Sequence, residues 1–159
     1  MLDTQFFQQV GGCYLLAHGL GQAVADASTD FQLLTAGTWH VFVRTKNWCP
    51  GDWQAPGRFQ VKINNTTLPT EFGTETGWTW QSGGSLELPA GKTEIALHDL
   101  TGFDGRCDAI YFSQEPTPNL PTAAADLPGW KGTLSGRSQK TVSAEEFDVV
   151  IVGGGMAGC

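Results

Sequence analysis

Apolar and polar residues alternate in twos through the middle of the chain. In A-G-T-W-H-V-F-V-R-T, Trp39, Val41 and Val43 fall on one side and His40, Phe42 and Arg44 on the other, the period of a half-buried strand. G-R-F-Q-V-K-I-N repeats the pattern, with Phe59, Val61 and Ile63 opposed to Arg58, Gln60, Lys62 and Asn64. Asn64-Asn65 then suits a hairpin turn, because Asn tolerates positive φ. W-T-W-Q at 78–81, S-L-E-L at 85–88, T-E-I-A-L-H at 93–98 and C-D-A-I-Y-F-S at 107–113 extend the series. Gly83-Gly84, Pro89-Ala90-Gly91 and Gly102 to Gly105 are read as the turns between them. F-Q-L-L at 31–34 predicts another strand, and Y-L-L-A-H-G-L-G reads as either a buried strand or a short helix. Short antiparallel strands at this spacing predict a mainly β fold, a jelly-roll β-sandwich over residues 1–113.

The pattern breaks after Ser113. Pro116, Pro118, Pro121 and Pro128 interrupt a stretch rich in Ala, Ser and Thr, and 114–144 reads as an inter-domain linker. Residues 145–159, E-E-F-D-V-V-I-V-G-G-G-M-A-G-C, start something different. Val149 to Val152 suit a strand buried on both faces of a parallel sheet. Gly153, Gly154, Gly155, Met156, Ala157 and Gly158 fit G-x-G-x-x-G. In that motif Gly153 would allow the tight turn, Gly155 the approach of a pyrophosphate, and Gly158 close packing of the following helix. The expectation is the first strand and Gly-rich turn of a truncated α/β Rossmann-type domain. Its helix, second strand and ribose-binding acid would lie beyond Cys159, so this stretch alone is not expected to bind a dinucleotide.

Composition narrows the function classes. The 159 residues are 40% hydrophobic and 16% charged, with a formal net charge of −7. That argues for a globular chain and against nucleic acid or an anionic membrane surface as partner. Cys13, Cys49, Cys107 and Cys159 form no C-x-x-C pair, so zinc is not indicated, while a single Cys13–Cys107 or Cys49–Cys107 bridge stays open. No basic residue precedes an apolar run at the start, so no export signal is expected in this chain, and no apolar run is long enough to span a membrane. The compartment, periplasmic or cytoplasmic, is left open.

F-D-V-V-I-V-G-G-G-M-A-G resembles the opening of the FAD domain in oxidoreductases of the glutathione-reductase type. Y-L-L-A-H-G-L-G-Q-A-V-A-D-A, W-H-V-F-V-R-T-K-N-W, A-P-G-R-F-Q-V and H-D-L-T-G-F-D-G-R-C-D-A-I-Y-F resemble the β-sandwich that some bacterial members carry in front of it. The resemblance implies the N-terminal part of an FAD-dependent oxidoreductase, with FAD as cofactor of the full-length parent and catalytic residues beyond Cys159. The sandwich would dock on its own C-terminal flavin domain or recruit a glycan-like substrate. This module is also similar to galactose-binding-like and carbohydrate-binding jelly rolls, which makes a non-catalytic carbohydrate-binding module the alternative; similarity of fold does not establish sugar binding.

Trp48 and Trp53 bracket C-P-G-D in a loop, where they either stack on a sugar ring or pin the loop to the sandwich. Trp78 and Trp80 share a strand face and are read as core. Asp99, Asp104 and Asp108 surround a glycine turn. They could collect a calcium ion, but pairing of Arg106 with Asp104 or Asp108 to fix the turn is the simpler reading. His18, His40 and His98 show no ligand spacing, and no metal is expected.

Overall fold

The computed structural model describes residues 1–47, 54 and 56–134. Within these, strands β1 (Leu2–Asp3), β2 (Tyr14–Ala17), β9 (Gly105–Ser113), β4 (Gly37–Thr45) and β7 (Thr79–Leu88) form one antiparallel sheet in that order. Strands β3 (Ala27–Leu33), β8 (Gly91–Asp99), β5 (Phe59–Ile63) and β6 (Thr66–Thr67) form the other. Two short helices flank them, α1 (Phe7–Val10) near the start and α2 (Leu127–Leu134) after the last strand.

The alternation read from the sequence decides which face of each strand is buried. Val41 and Val43 from the first sheet meet Phe59, Val61, Ile63 and Ile95 from the second in one core, with Trp39 packed at its margin. The predicted β-sandwich is therefore present, built of two antiparallel sheets. Asn64 and Asn65 have φ of 47° and 66°, as their hairpin between β5 and β6 requires.

Gly83-Gly84 is not a turn. β7 runs straight through it, and the partners His40–Ser85 and Phe42–Ser82 leave both glycines facing Val41. This is a bulge, two residues against one. A Cβ on Gly83 would come within 2.8 Å of Leu68 Cδ1 and 3.0 Å of Phe72 Cζ, so the absence of a side chain lets the bulge close over the core. A second bulge lies in β9, where Arg44 faces Ala109, Thr45 faces Cys107, and Asp108 is skipped.

Asp108 and Arg44 define a second packed layer, on the outer face of the five-stranded sheet. Their side chains are 0% and 2% exposed and meet at 2.8 Å. Lys131 of α2 reaches Asp108 Oδ1 at 2.5 Å and donates to the Val10 carbonyl at 2.9 Å. Trp130 packs on Trp80 and Tyr111 with ring centroids 5.6 and 5.4 Å away, Leu127 is fully buried, and Trp80 Nε1 donates to the Pro121 carbonyl. The first part of the stretch read as linker, as far as Leu134, thus packs against the sheet.

Trp78 and Trp80 are half-buried in this outer layer rather than in the inter-sheet core. Trp78 packs edge-on against Tyr14 and Phe6, with the Arg44 guanidinium 5.6 Å from its ring centre. Tyr14 donates to Asp3 across the β1–β2 pair. Burial, then that hydrogen bond, pushes its phenol up to about 12.

Candidate functional site

The two ends of the sandwich differ. At one end the connections are tight, as in Asn64-Asn65 and the turn between β7 and β8. At the other end the longer connections β2–β3, β4–β5, β6–β7 and β8–β9 converge, because Ala17 pairs with Gly105, Thr45 with both Cys107 and Thr79, and Phe59 with Asp99. Long loops gathered at one end of a rigid sandwich are where such folds place their binding residues.

Asp99 ties this end together from below. Its carboxylate accepts from the backbone N–H of Val24 at 2.9 Å, of Thr101 at 3.2 Å and of Gly102 at 3.1 Å, joining the β2–β3 and β8–β9 loops. Gly19 and Gly21 donate to the Gly102 carbonyl. Gly102 has a φ of 71°, and a Cβ there would lie 2.2 Å from the Gln22 carbonyl oxygen; only glycine permits this approach. The β4–β5 loop joins through the Thr101 hydroxyl, which donates to the Pro56 carbonyl.

Above this base project Leu20, 81% exposed, and Phe103, 51% exposed with its ring against Gly21. Beside them His18 Nδ1 meets Asp104 Oδ1 at 2.8 Å. Arg106 donates to the Asp104 carbonyl at 2.9 Å, its guanidinium 3.8 Å from the Asp104 carboxylate, so Arg106 goes with Asp104. An exposed aromatic face next to an imidazole and a carboxylate offers stacking for apolar C–H groups, and donors and acceptors for hydroxyls.

The three aspartates do not converge: Asp99 binds loop amides, Asp104 faces His18, and Asp108 lies in the outer layer. Among the described residues no three His, Cys, Asp or Glu side chains gather as a metal site. Cys13 and Cys107 are free thiols, and burial pushes Cys107 up to about 12. Trp48, Trp53 and Cys49 lie outside the described residues, as do Gly153, Gly154, Gly155, Met156, Ala157 and Gly158; the β4–β5 connection that holds the two tryptophans leaves and re-enters the sandwich at the long-loop end.

Sequence reasoning missed Leu20, Phe103 and the His18–Asp104 pair. Leu20 and Phe103 sit in glycine-rich turns that carry no period, and 86 residues separate His18 from Asp104.

No family model and no curated protein matches the chain. Its fold, however, is that of known solved structures. A family 35 carbohydrate binding module from an environmental isolate is similar with a TM-score of 0.55 and 21% identity, over 75% of this chain and 86% of that one. A family 35 module from Clostridium thermocellum follows with 0.53 and 19%, over 71% and 86%. The Podospora anserina GH26-CBM35 β-(1,4)-mannanase gives 0.52 and 21%, over 74% of this chain and 25% of that protein.

These neighbours correct the expected function. The described sandwich has the fold of carbohydrate-binding modules, and this overturns the expected function, the accessory front of an FAD-dependent oxidoreductase. The physical reason is that the oxidoreductase reading rested on the glycine motif. Such a turn holds a cofactor only within a parallel sheet and its helices. That motif lies outside the described residues, whereas the described strands form the antiparallel sandwich that the neighbours share.

Proposed function

We propose that the chain is a carbohydrate-binding module that takes a saccharide at its long-loop end. The observation that carries this reading is the exposed Phe103 and Leu20 beside the His18–Asp104 pair, on loops locked from below by Asp99. A pyranose presents one apolar C–H face and a rim of hydroxyls. Phe103 would stack on the first, and His18 and Asp104 would hydrogen-bond the second. A base that is already ordered lowers the entropic cost of binding. Trp48 and Trp53 belong to this reading as further stacking residues from the adjoining connection. The likeness to family 35 modules supports the ligand class and leaves the particular sugar open.

The test is a panel of soluble plant and microbial polysaccharides, β-1,4-mannan among them, run by affinity electrophoresis and followed by calorimetry with the matching oligosaccharide. Phe103→Ala is expected to weaken binding at least tenfold, with a similar loss for Trp48→Ala or Trp53→Ala. A panel without any retardation overturns the reading. A sugar that binds equally well to Phe103→Ala and to both tryptophan variants moves the site away from this end.

A further inference from the structure

We propose that the outward face of the four-stranded sheet carries a second site for a neutral saccharide, separate from the long-loop end. The ligand class rests on the reading above; the location does not. Unlike the outer face of the five-stranded sheet, which is covered by α1 and α2, this face lies open at Ser28 and Asp30 of β3 and at Glu94 of β8, all exposed, with Ala96 8% exposed between them.

Strand register places small residues at its centre. Ala96 of β8 pairs with Ser28 of β3 on one side and with Lys62 of β5 on the other. Cross-strand partners project to the same face, and Ile95 and Leu97 point into the core, so these three point outward. Two short side chains beside a long one leave a depression of about 160 Å³, bounded also by Asp26, Asn64 and Glu94. Rows about 7 Å apart along strands about 4.8 Å apart give it the footprint of one sugar ring.

The rim is set before a ligand arrives. Asp26 Oδ2 accepts from Lys62 Nζ at 2.8 Å, while Asp26 Oδ1 lies 2.7 Å from His98 Nδ1, itself 3.0 Å from Lys62 Nζ. Lys62, then His98, holds the Asp26 carboxyl below its ordinary range, so it is an acceptor at neutral pH. Asn64 is fixed through its side-chain oxygen, which accepts from the Glu94 amide at 2.9 Å, and through its own amide, which donates to the Glu94 carbonyl at 3.0 Å. Its NH₂ group is left to donate outward. The Ala96 methyl is the apolar floor between donors and acceptors.

The charge balance selects the ligand. Lys62 is already neutralised by Asp26, and Glu94 adds a second carboxylate to the rim, so an anionic sugar or a phosphate is disfavoured. Hydroxyls, which donate to Asp26 and Glu94 and accept from Lys62 and Asn64, suit this rim without a net charge to compensate.

The test uses the ¹⁵N-labelled 159-residue chain, titrated by NMR with mannohexaose, xylohexaose, cellohexaose and β-1,4-galactotetraose. At least one is expected to shift amides of residues 26–30, 60–65 and 94–98, as a group separable from 18–22 and 101–104. Ala96→Leu, which fills the depression, and Lys62→Met, which removes a donor, are each expected to weaken the first group at least tenfold and to leave the second unchanged. Both are outward positions, and an unchanged spectrum elsewhere certifies the fold. Shifts confined to the long-loop end overturn this site and leave the proposed function standing. Shifts on the sheet face alone do the reverse. Shifts that persist in a folded Ala96→Leu variant overturn the assignment to this depression, and the absence of shifts with all four sugars overturns both.

Discussion

Replacing Asp108 with Asn is expected to be among the most damaging single changes in the sandwich. The side chain is isosteric, so the change removes charge and leaves shape. What remains is the Arg44 guanidinium, 2% exposed, without the carboxylate that meets it at 2.8 Å; among the described residues its other side-chain hydrogen bond is a long 3.4 Å contact to the Gln9 carbonyl. Removing one partner of a buried pair costs about 3–5 kcal/mol, chiefly from the charge left behind. Lys131 adds little to that sum, because it is 26% exposed and swings out to water. Against a typical stability of about 5–15 kcal/mol the variant is destabilised but mostly folded. At roughly 3–5 °C per kcal/mol for a domain of this size, Tm falls by about 9–25 °C. Urea unfolding followed by tryptophan fluorescence measures it. The paired replacement Arg44→Met with Asp108→Leu is expected to recover most of the loss, since a buried ion pair exchanged for apolar groups is often neutral or better. An Asp108→Asn variant within about 1 kcal/mol of the parent, a cost typical of exposed pairs, would show that the guanidinium reaches water and would refute the argument.

Other outcomes follow from single contacts. Lys131→Met leaves Asp108 with Arg44, so a smaller loss of about 1–2 kcal/mol is expected, with a change in Trp130 emission as α2 loosens; emission identical to the parent counts against docking of α2 through this lysine. Gly102→Ala meets both a positive φ and the Gln22 backbone at 2.2 Å, so a loss of at least about 2 kcal/mol is expected together with loss of saccharide binding, and an unaltered melting curve would contradict the described loop. In a Cys49→Ser, Cys159→Ser background, a thiol reagent is expected to modify Cys13 quickly and Cys107 only at the unfolding rate, because burial pushes the latter up to about 12; two fast thiols would refute its burial. Asp26 titrates below its unfolded value because of Lys62 and His98. Its contribution is therefore complete above the unfolded carboxylate range and lost as pH falls through the folded value, so Asp26→Asn should flatten stability below about pH 4 and an unchanged acid slope argues against the triad.

The inter-sheet core was legible because a strand buried on one face writes its burial into the sequence with period two. Phe59, Val61 and Ile63 need no other information. The outer layer was not legible, for a reason that Trp78 and Trp80 make plain. Alternation says that two tryptophans share a face, yet both faces of the five-stranded sheet are covered, one by the second sheet and the other by α1 and α2. Which cover they meet depends on Leu127, Trp130 and Lys131, in a proline-punctuated stretch whose own pattern has no period. A bulge hides in the same way: Gly83-Gly84 looks like a turn until the facing strand shows that it continues past both residues.

The candidate site was legible only as a place. Topology follows from strand order, and strand order sends the connection that carries Trp48 and Trp53 to the same end as Phe103. The polar partners were out of reach, because His18 and Asp104, or Asp26 and His98, are brought together by register between strands far apart in sequence. The glycine motif at 153–158 stood out for the opposite reason. Its signal is wholly local, whereas the chemistry it stands for needs a parallel sheet around it. A local motif weighs as much as the architecture that would have to surround it, and residues 153–158 lie outside the described ones. The functional reading therefore follows the sandwich, whose evidence spans the described chain, and not the turn.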